Sequence, residues 1–296
     1  MQVGNVPMSL EEIAYRANLM RYDIVDMIGE AGSGHPGGSL SSADIVATLY
    51  LSGAMDYDPT DPQNPARDRF ILSKGHAAPV LYAAFVQLGI IERDEIFTLR
   101  KLHSRLQGHP DCKKLPGVEV STGSLGQGLS IAAGLAAGLS IDAGEGKAPT
   151  VFALLGDGET QEGQVWEAAM FANQRKLSNL VAIVDYNDLQ IDGHCKDVVG
   201  VAPMAQRWEA FGWKVFEIDG HSVEQIRDAL AQAKEYSEGP ALIVAKTVKG
   251  KGVSFMEDQA GWHGKAPDAE KRAAALAEIE QLVAQSKSEM EACNGR

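Results

Sequence analysis

Four short apolar runs, evenly spaced between helical stretches, decide what this chain can become. They are TVFALL (150–155), LVAIVD (180–185), KVFEID (214–219) and ALIVAK (241–246), all rich in Val, Ile and Leu. Helical patterns fill the gaps at 164–174, 204–211 and 223–234. Strands apolar throughout, alternating with helices, predict an α/β fold: a parallel β-sheet flanked by helices on both faces. Ligands of such sheets bind beyond the carboxyl ends of the strands, so chemistry is expected just after these runs. At 296 residues the chain has room for one large domain or two small ones.

Upstream, Ser9 to Gly29 reads as a helix, with Ser9 and Glu12 as a capping box and Leu10, Ile13, Ala17, Ile24 and Ile28 at helical spacing. GSGHPGGS reads as a Gly/Pro-rich loop and Ser42 to Leu51 as a helix. Positions 58–68 read as a loop, RFILS as a short strand, and AAPVLYAAFVQLG as a helix. A charged, Ala-rich helix runs from Asp268 to Met290, inside a helical tail at about 268–296.

The most informative motif is GDGETQEG followed by DYNDLQIDG. Asp157 stands directly after one strand and Asn187 directly after the next, one strand–helix–strand crossover apart. Adjacent parallel strands would then present two hard oxygen ligands at one sheet edge. Mg²⁺ takes few protein oxygens and fills its octahedron with phosphate and water. Asp157, Asn187 and the carbonyl of Leu189 can supply three positions, and a diphosphate two more. Gly158 opens the next helix, where an N–H can meet a phosphate. Taken singly, Asp-Gly and Asn-Asp are equally good turn formers.

Other patterns narrow the field. Gly32, Gly34 and Gly37 match the dinucleotide fingerprint in spacing but follow a helix instead of a strand, which argues against a nicotinamide enzyme. No Walker pattern is present. Four of the seven histidines lie beside Gly or Pro, in GHP (34–36), KGH (74–76), GHP (108–110) and WHGKAP (262–267). Imidazole donates to phosphate and shuttles protons near neutral pH. STGSLGQG (121–128) leads into an apolar helix, and its glycines are suited either to close approach by a ligand or to tight packing. A formal charge of −13 argues against nucleic acid or an anionic membrane surface as partner. The absence of a long apolar run argues against a membrane span. Three scattered cysteines and an opening segment without an apolar core point to a reduced, cytoplasmic protein. Cys195 reads as an inert thiol, and His221 as a loop residue with a structural hydrogen bond.

In order, SGHPGG, SKGH, GHP, TGSLGQG, GDGETQEG, DYNDLQIDG, KTVKGKGV and HGKAP resemble the N-terminal half of transketolases. The resemblance covers nearly the whole chain and implies a single diphosphate-binding domain over 1–296, with thiamine diphosphate and Mg²⁺ as cofactors. It implies Asp157, Asn187 and the Leu189 carbonyl as metal ligands. His76, Gly158, Asn187 and His263 would contact the diphosphate, and Gly123, Ser124 and Leu125 would approach the cofactor rings. His35, His109 and His263 would face the sugar, and Glu162 would join a carboxylate network at the interface between subunits. The implied reaction moves a two-carbon ketol unit from a ketose phosphate to an aldose phosphate.

The segments that complete such an enzyme, a pyrimidine-binding domain with its glutamate and the arginines for the substrate phosphate, are not in this sequence. Ser124 also stands where long transketolases often carry Pro. The chain therefore resembles the N-terminal member of a two-chain transketolase, expected to form an A₂B₂ assembly with a separate C-terminal subunit. Other readings stay open: a split enzyme for a modified sugar, deoxyxylulose-phosphate synthase, a 2-oxo-acid dehydrogenase E1, or a catalytically silent subunit.

Overall fold

The computed structural model describes residues 7–295. Its main strands are β1 (Arg69–Leu72), β2 (Val151–Gly156), β3 (Leu180–Tyr186), β6 (Lys214–Asp219) and β7 (Ala241–Lys246). They form a wholly parallel five-stranded sheet in the order β1-β2-β3-β7-β6. A small antiparallel hairpin, β4 (Leu189–Gln190) with β5 (Gly193–His194), stands apart just after β3.

Alternate residues of the central strands enter two separate cores. Phe152, Leu154, Val181, Ile183 and Ile243 point into one, and Val151, Ala153, Leu155, Ala182, Val184, Leu242 and Val244 into the other. The first core is covered by α1 (Leu10–Ala31), α3 (Ala43–Leu51), α4 (Ala78–Gln87) and α9 (Val223–Glu235). The second lies under α5 (Gln127–Ala143), α6 (Gly163–Gln174) and α8 (Met204–Ala210). Both faces are buried, which is why these strands carry no polar alternation. KVFEID is the exception: it is the edge strand β6, half-exposed along its length and correspondingly mixed in polarity.

Helix α1 starts where its sequence asks, with the Ser9 hydroxyl accepting from the Glu12 N–H. GSGHPGGS departs from the expected loop. Pro36 occupies a first-turn position of a short helix, α2 (Pro36–Ser41), where its missing N–H costs nothing. A further short helix, α7 (Cys195–Val198), follows the hairpin. The charged C-terminal helix α10 (Ala269–Asn294) lies along α1. Ala275 and Ile279 bury its apolar side, and Arg272 reaches Asp26 and Glu30. Among the described residues, no helix is long and apolar enough to cross a membrane.

Candidate active site

The carboxyl ends of β1, β2, β3 and β7 deliver SKGH, GDGE, YND and KTVKGKG to one side of the sheet. They enclose a cavity of about 350 Å³. His35, His76, His109, Gly123, Leu125, Asp157, Gly158, Glu162, Asn187, Leu189 and His263 all line it, so nearly every residue singled out from sequence converges there. Ser124 is exposed and is not among the lining residues.

Asp157 is buried at the mouth of β2, and its carboxylate ties the two strand ends together. One oxygen accepts from the Gly158 N–H (2.7 Å), the other from the N–H groups of Asn187 (3.0 Å) and Asp188. Burial and the nearby Asp185 push its acid up to about 6. A carboxylate so destabilised gains strongly from a bound cation. Asp185 is not free for that role. It accepts from Lys74 Nζ (2.5 Å), Ser41 Oγ (2.6 Å), Asn187 Nδ2 (3.1 Å) and Thr247 Oγ1. Burial raises its acid, but the Lys74 ammonium and these donors more than reverse that. Asp185 has a positioning effect. By holding Asn187 Nδ2 it turns the amide oxygen the other way, toward the Leu189 N–H (3.2 Å).

Four imidazoles share one end of the cavity. His35 stands 5.2 Å from His76 and 5.6 Å from His263 between ring centroids, and His76 stacks on His263 at 5.1 Å. His109 is 6.4 Å from His35 and exposed. Burial, with nearby cationic groups, holds His35 down at about 4 and His263 at about 3, and lowers His76 and His109. All four are neutral at physiological pH, able to donate from one nitrogen and accept at the other. The Nδ1 atoms of His35 and His263 and the Nε2 of Gln190 are buried without a partner, and all three residues line the cavity. Buried polar atoms normally have partners, so orphans converging on one space mark a place for a polar ligand.

The glycine loop supplies the wall beside His109. Gly123 has φ +139°, and a Cβ there would come within 2.8 Å of the His109 ring. Only glycine allows the backbone both that conformation and that approach. Glu162 lies on the rim, exposed at the start of α6.

Sequence reasoning passed over three charged groups here. Lys74 and Lys249 are almost wholly buried, and Lys249 Nζ donates to the Leu189 carbonyl (2.9 Å). Burial lowers the Lys249 ammonium despite the attraction of Asp157 and Asp185. Glu159 clamps three loops, accepting from Ser73 Oγ (2.5 Å), Gly126 N–H (3.0 Å) and Gly156 N–H (3.1 Å). Their signal was visible: each lies within one of the motifs SKGH, GDGETQEG and KTVKGKGV. A buried charge, however, shows only once its partners from distant segments are known. Cys195 is buried, and desolvation with the Asp157 and Asp188 carboxylates pushes its thiol up to about 12, as expected of an inert group. His194 is exposed, 3.4 Å from Asp188.

The site fits a magnesium diphosphate. Asp157 offers one carboxylate, and the Asn187 amide and the Leu189 carbonyl offer neutral oxygens; this is the hard-oxygen set that Mg²⁺ prefers. Lys249, with one hydrogen bond in use, and the imidazoles supply the donors an anion needs, while Lys74 is fully taken up by Gly38, Ser42 and Asp185. Among the described residues, no three His, Cys, Asp or Glu side chains gather as a softer metal site would require.

Comparison with known proteins points to one family. Residues 14–281 match the family model described as transketolase, thiamine diphosphate binding domain. The chain is 42% identical to the 6-deoxy-6-sulfo-D-fructose transketolase subunit SqwG of Clostridium sp. (strain MSTE9), covering 91% of this chain and 97% of that one. It is 40% identical to one of the subunits of the apulose-4-phosphate transketolase of Phocaeicola vulgatus, covering 93% and 96%. Against human transketolase it is 45% identical over 86% of this chain, but spans only 40% of that protein's length. The solved structure of transketolase from Leishmania mexicana superposes with a TM-score of 0.81 at 30% identity, covering 97% of this chain and 46% of the other.

Proposed function

The chain belongs to the transketolase thiamine diphosphate-binding domain family, and we propose that it is the N-terminal subunit of a split transketolase. Bound thiamine diphosphate supplies the carbanion chemistry that breaks and remakes a bond beside a carbonyl. Everything else falls to protein groups. Asp157, Asn187 and the Leu189 carbonyl hold Mg²⁺. The Gly158 N–H, His76, His263 and Asn187 receive the diphosphate, with Lys249 placed to neutralise it. Gly123 to Leu125 form the wall against the cofactor rings. His35, His109 and His263 bind the sugar hydroxyls and steady negative charge that develops on a substrate oxygen. Neutral rings suit this task, because each can donate from one nitrogen and accept a proton at the other. Glu162 reaches out of the chain toward a neighbouring subunit.

The observation that carries this reading is the convergence of the Asp157 carboxylate, two neutral oxygens and four neutral imidazoles on a single cavity at the strand ends. The whole chain acts as one diphosphate-binding unit, in the cytoplasm, within an A₂B₂ assembly that a pyrimidine-binding subunit completes. A second reading has its own support. The two relatives matched almost end to end are named for 6-deoxy-6-sulfo-D-fructose and apulose 4-phosphate. A sugar other than the common ketose phosphates is therefore a strong candidate donor.

The test is to purify the chain with its partner from native lysate in thiamine diphosphate and Mg²⁺, then assay two-carbon transfer from a panel of ordinary and modified ketoses. Transfer to an aldose phosphate supports the reading, and the best donor separates its two forms. Decarboxylation of a 2-oxo acid, or an assembled complex that does not bind the cofactor, would overturn it. Asp157→Ala is expected to abolish Mg²⁺-dependent cofactor binding with the fold retained.

A further inference from the structure

Behind the cavity, on the side of the edge strand, lies a histidine whose hydrogen bonds have a direction that the fold alone does not require. His221 sits in the turn between β6 and α9, outside the loops that line the site. Its Nε2 accepts the backbone N–H of Val248 at 2.9 Å. Its Nδ1 therefore carries the proton and donates to Asp44 Oδ2 at 2.7 Å. Asp44 is buried and paired through both oxygens with the Arg21 guanidinium. A buried ion pair thus locks one tautomer of His221, and that tautomer presents an acceptor to the turn after β7.

That turn carries Lys249. Its amides are tied to three different places: Thr247 N–H to Tyr186, Gly250 N–H to Gly37, and Val248 N–H to His221. Val248 is the one held by a side chain. The next residue sends its stem across Gly37, where a Cβ would stand 3.0 Å from Lys249 Cγ, and its ammonium to the Leu189 carbonyl inside the cavity. A lysine only 3% exposed is costly to keep. On a loosened turn, a four-carbon stem carries its charge back to water.

We propose that His221 is a positioning residue for the cofactor site: by accepting the Val248 N–H it fixes the turn that holds Lys249 in the cavity. The inference rests on the reading of that cavity as a magnesium diphosphate site. His221 touches none of the residues expected to contact cofactor or sugar. It acts through Lys249, and the consequence is selective. Losing the acceptor weakens anion binding, whereas side chains that restore an acceptor at the same reach rescue it.

The experiment measures the Kd of thiamine diphosphate with Mg²⁺ by calorimetric titration of the assembled complex, with thermal unfolding followed in parallel. His221→Ala is expected to raise Kd about tenfold, in the range typical for groups that orient a binding residue. In His221→Gln, Oε1 reaches the place of Nε2, and Kd is expected within about threefold of wild type. In a Lys249→Met background, His221→Ala is expected to add little, because the two act as one unit. Wild-type affinity in folded His221→Ala would overturn the proposal, as would an undiminished effect in the Lys249→Met background. If His221→Ala does not fold, His221→Asn, too short to reach Val248, replaces it, and equal Kd for Asn and Gln would be equally fatal. Failure of the wild-type complex to bind would remove the cofactor reading itself and this inference with it.

Discussion

At the residue scale, the site is a set of ionisable groups whose titration is displaced from the ordinary range. His35 and His263 release their protons far below the ordinary 6.5, near 4 and near 3, mainly through burial. Unfolded, they bind protons near 6.5. Between that value and about 3 the unfolded chain therefore holds more protons, and stability falls as pH drops through this window. Proton-detected titration of the imidazole signals is expected to find both rings still neutral at about pH 5.5, where a free histidine is mostly charged. A midpoint near 6.5 for either ring would contradict the burial argument. Lys74 and Asp185 form a different case, a buried pair in which the lysine and the neighbouring donors lower the Asp185 acid against the effect of burial. Lys74→Met leaves Asp185 uncompensated and is expected to cost about 3–5 kcal/mol in urea unfolding.

At the scale of elements, loop ends are packed to a tolerance that sequence does not express. Helix α5 begins against the end of β1, and a Cβ on Gly128 would stand 2.2 Å from Ser73 Oγ. Gly128→Ala would normally favour a helix, yet here it is expected to destabilise by about 1–3 kcal/mol through overpacking. It also pushes on Ser73, one of the three donors gathered by Glu159. A stabilised or unchanged variant in thermal unfolding would show that the junction relaxes freely. Helix α9 offers a milder contrast. The Ser222 hydroxyl accepts from Gln225 N–H (3.3 Å), and Ser222→Ala is expected to cost about 1 kcal/mol, with no change in cofactor binding.

At the scale of the molecule, one wall of the cavity is open and its surroundings are apolar. Leu125 and Ile191 are 39% and 65% exposed beside the cavity, and Ile131, Met170 and Phe171 are exposed on α5 and α6. Solvent-facing apolar groups beside an open cavity and on the helices α5 and α6 mark a place for another chain. Charge here, as Met170→Glu with Phe171→Asp, is expected to reduce the complex with a partner subunit to smaller species in light scattering, with the secondary structure of the isolated chain unchanged. Full assembly of that variant would move the interface elsewhere.

The fold class was legible because its signal is local. Runs such as LVAIVD need no partner to announce a strand buried on both faces, and Asp157 and Asn187 follow such runs directly. The motif histidines were legible as candidates through their glycine and proline neighbours. Other features waited on three dimensions. Pro36 reads as a loop residue until it is seen as the first residue of a helix. Lys74, Glu159 and Lys249 became functional candidates only when burial set the worth of their charges, since Coulomb energy depends on surroundings that distant segments create. His221, read from sequence as a structural loop residue, gained a direction from Asp44 and Val248, which lie 177 and 27 residues away along the chain. Periodicity and motif order are properties of the chain. Desolvation, tautomer and reach are properties of the packed molecule, and the chemistry of the site depends on those.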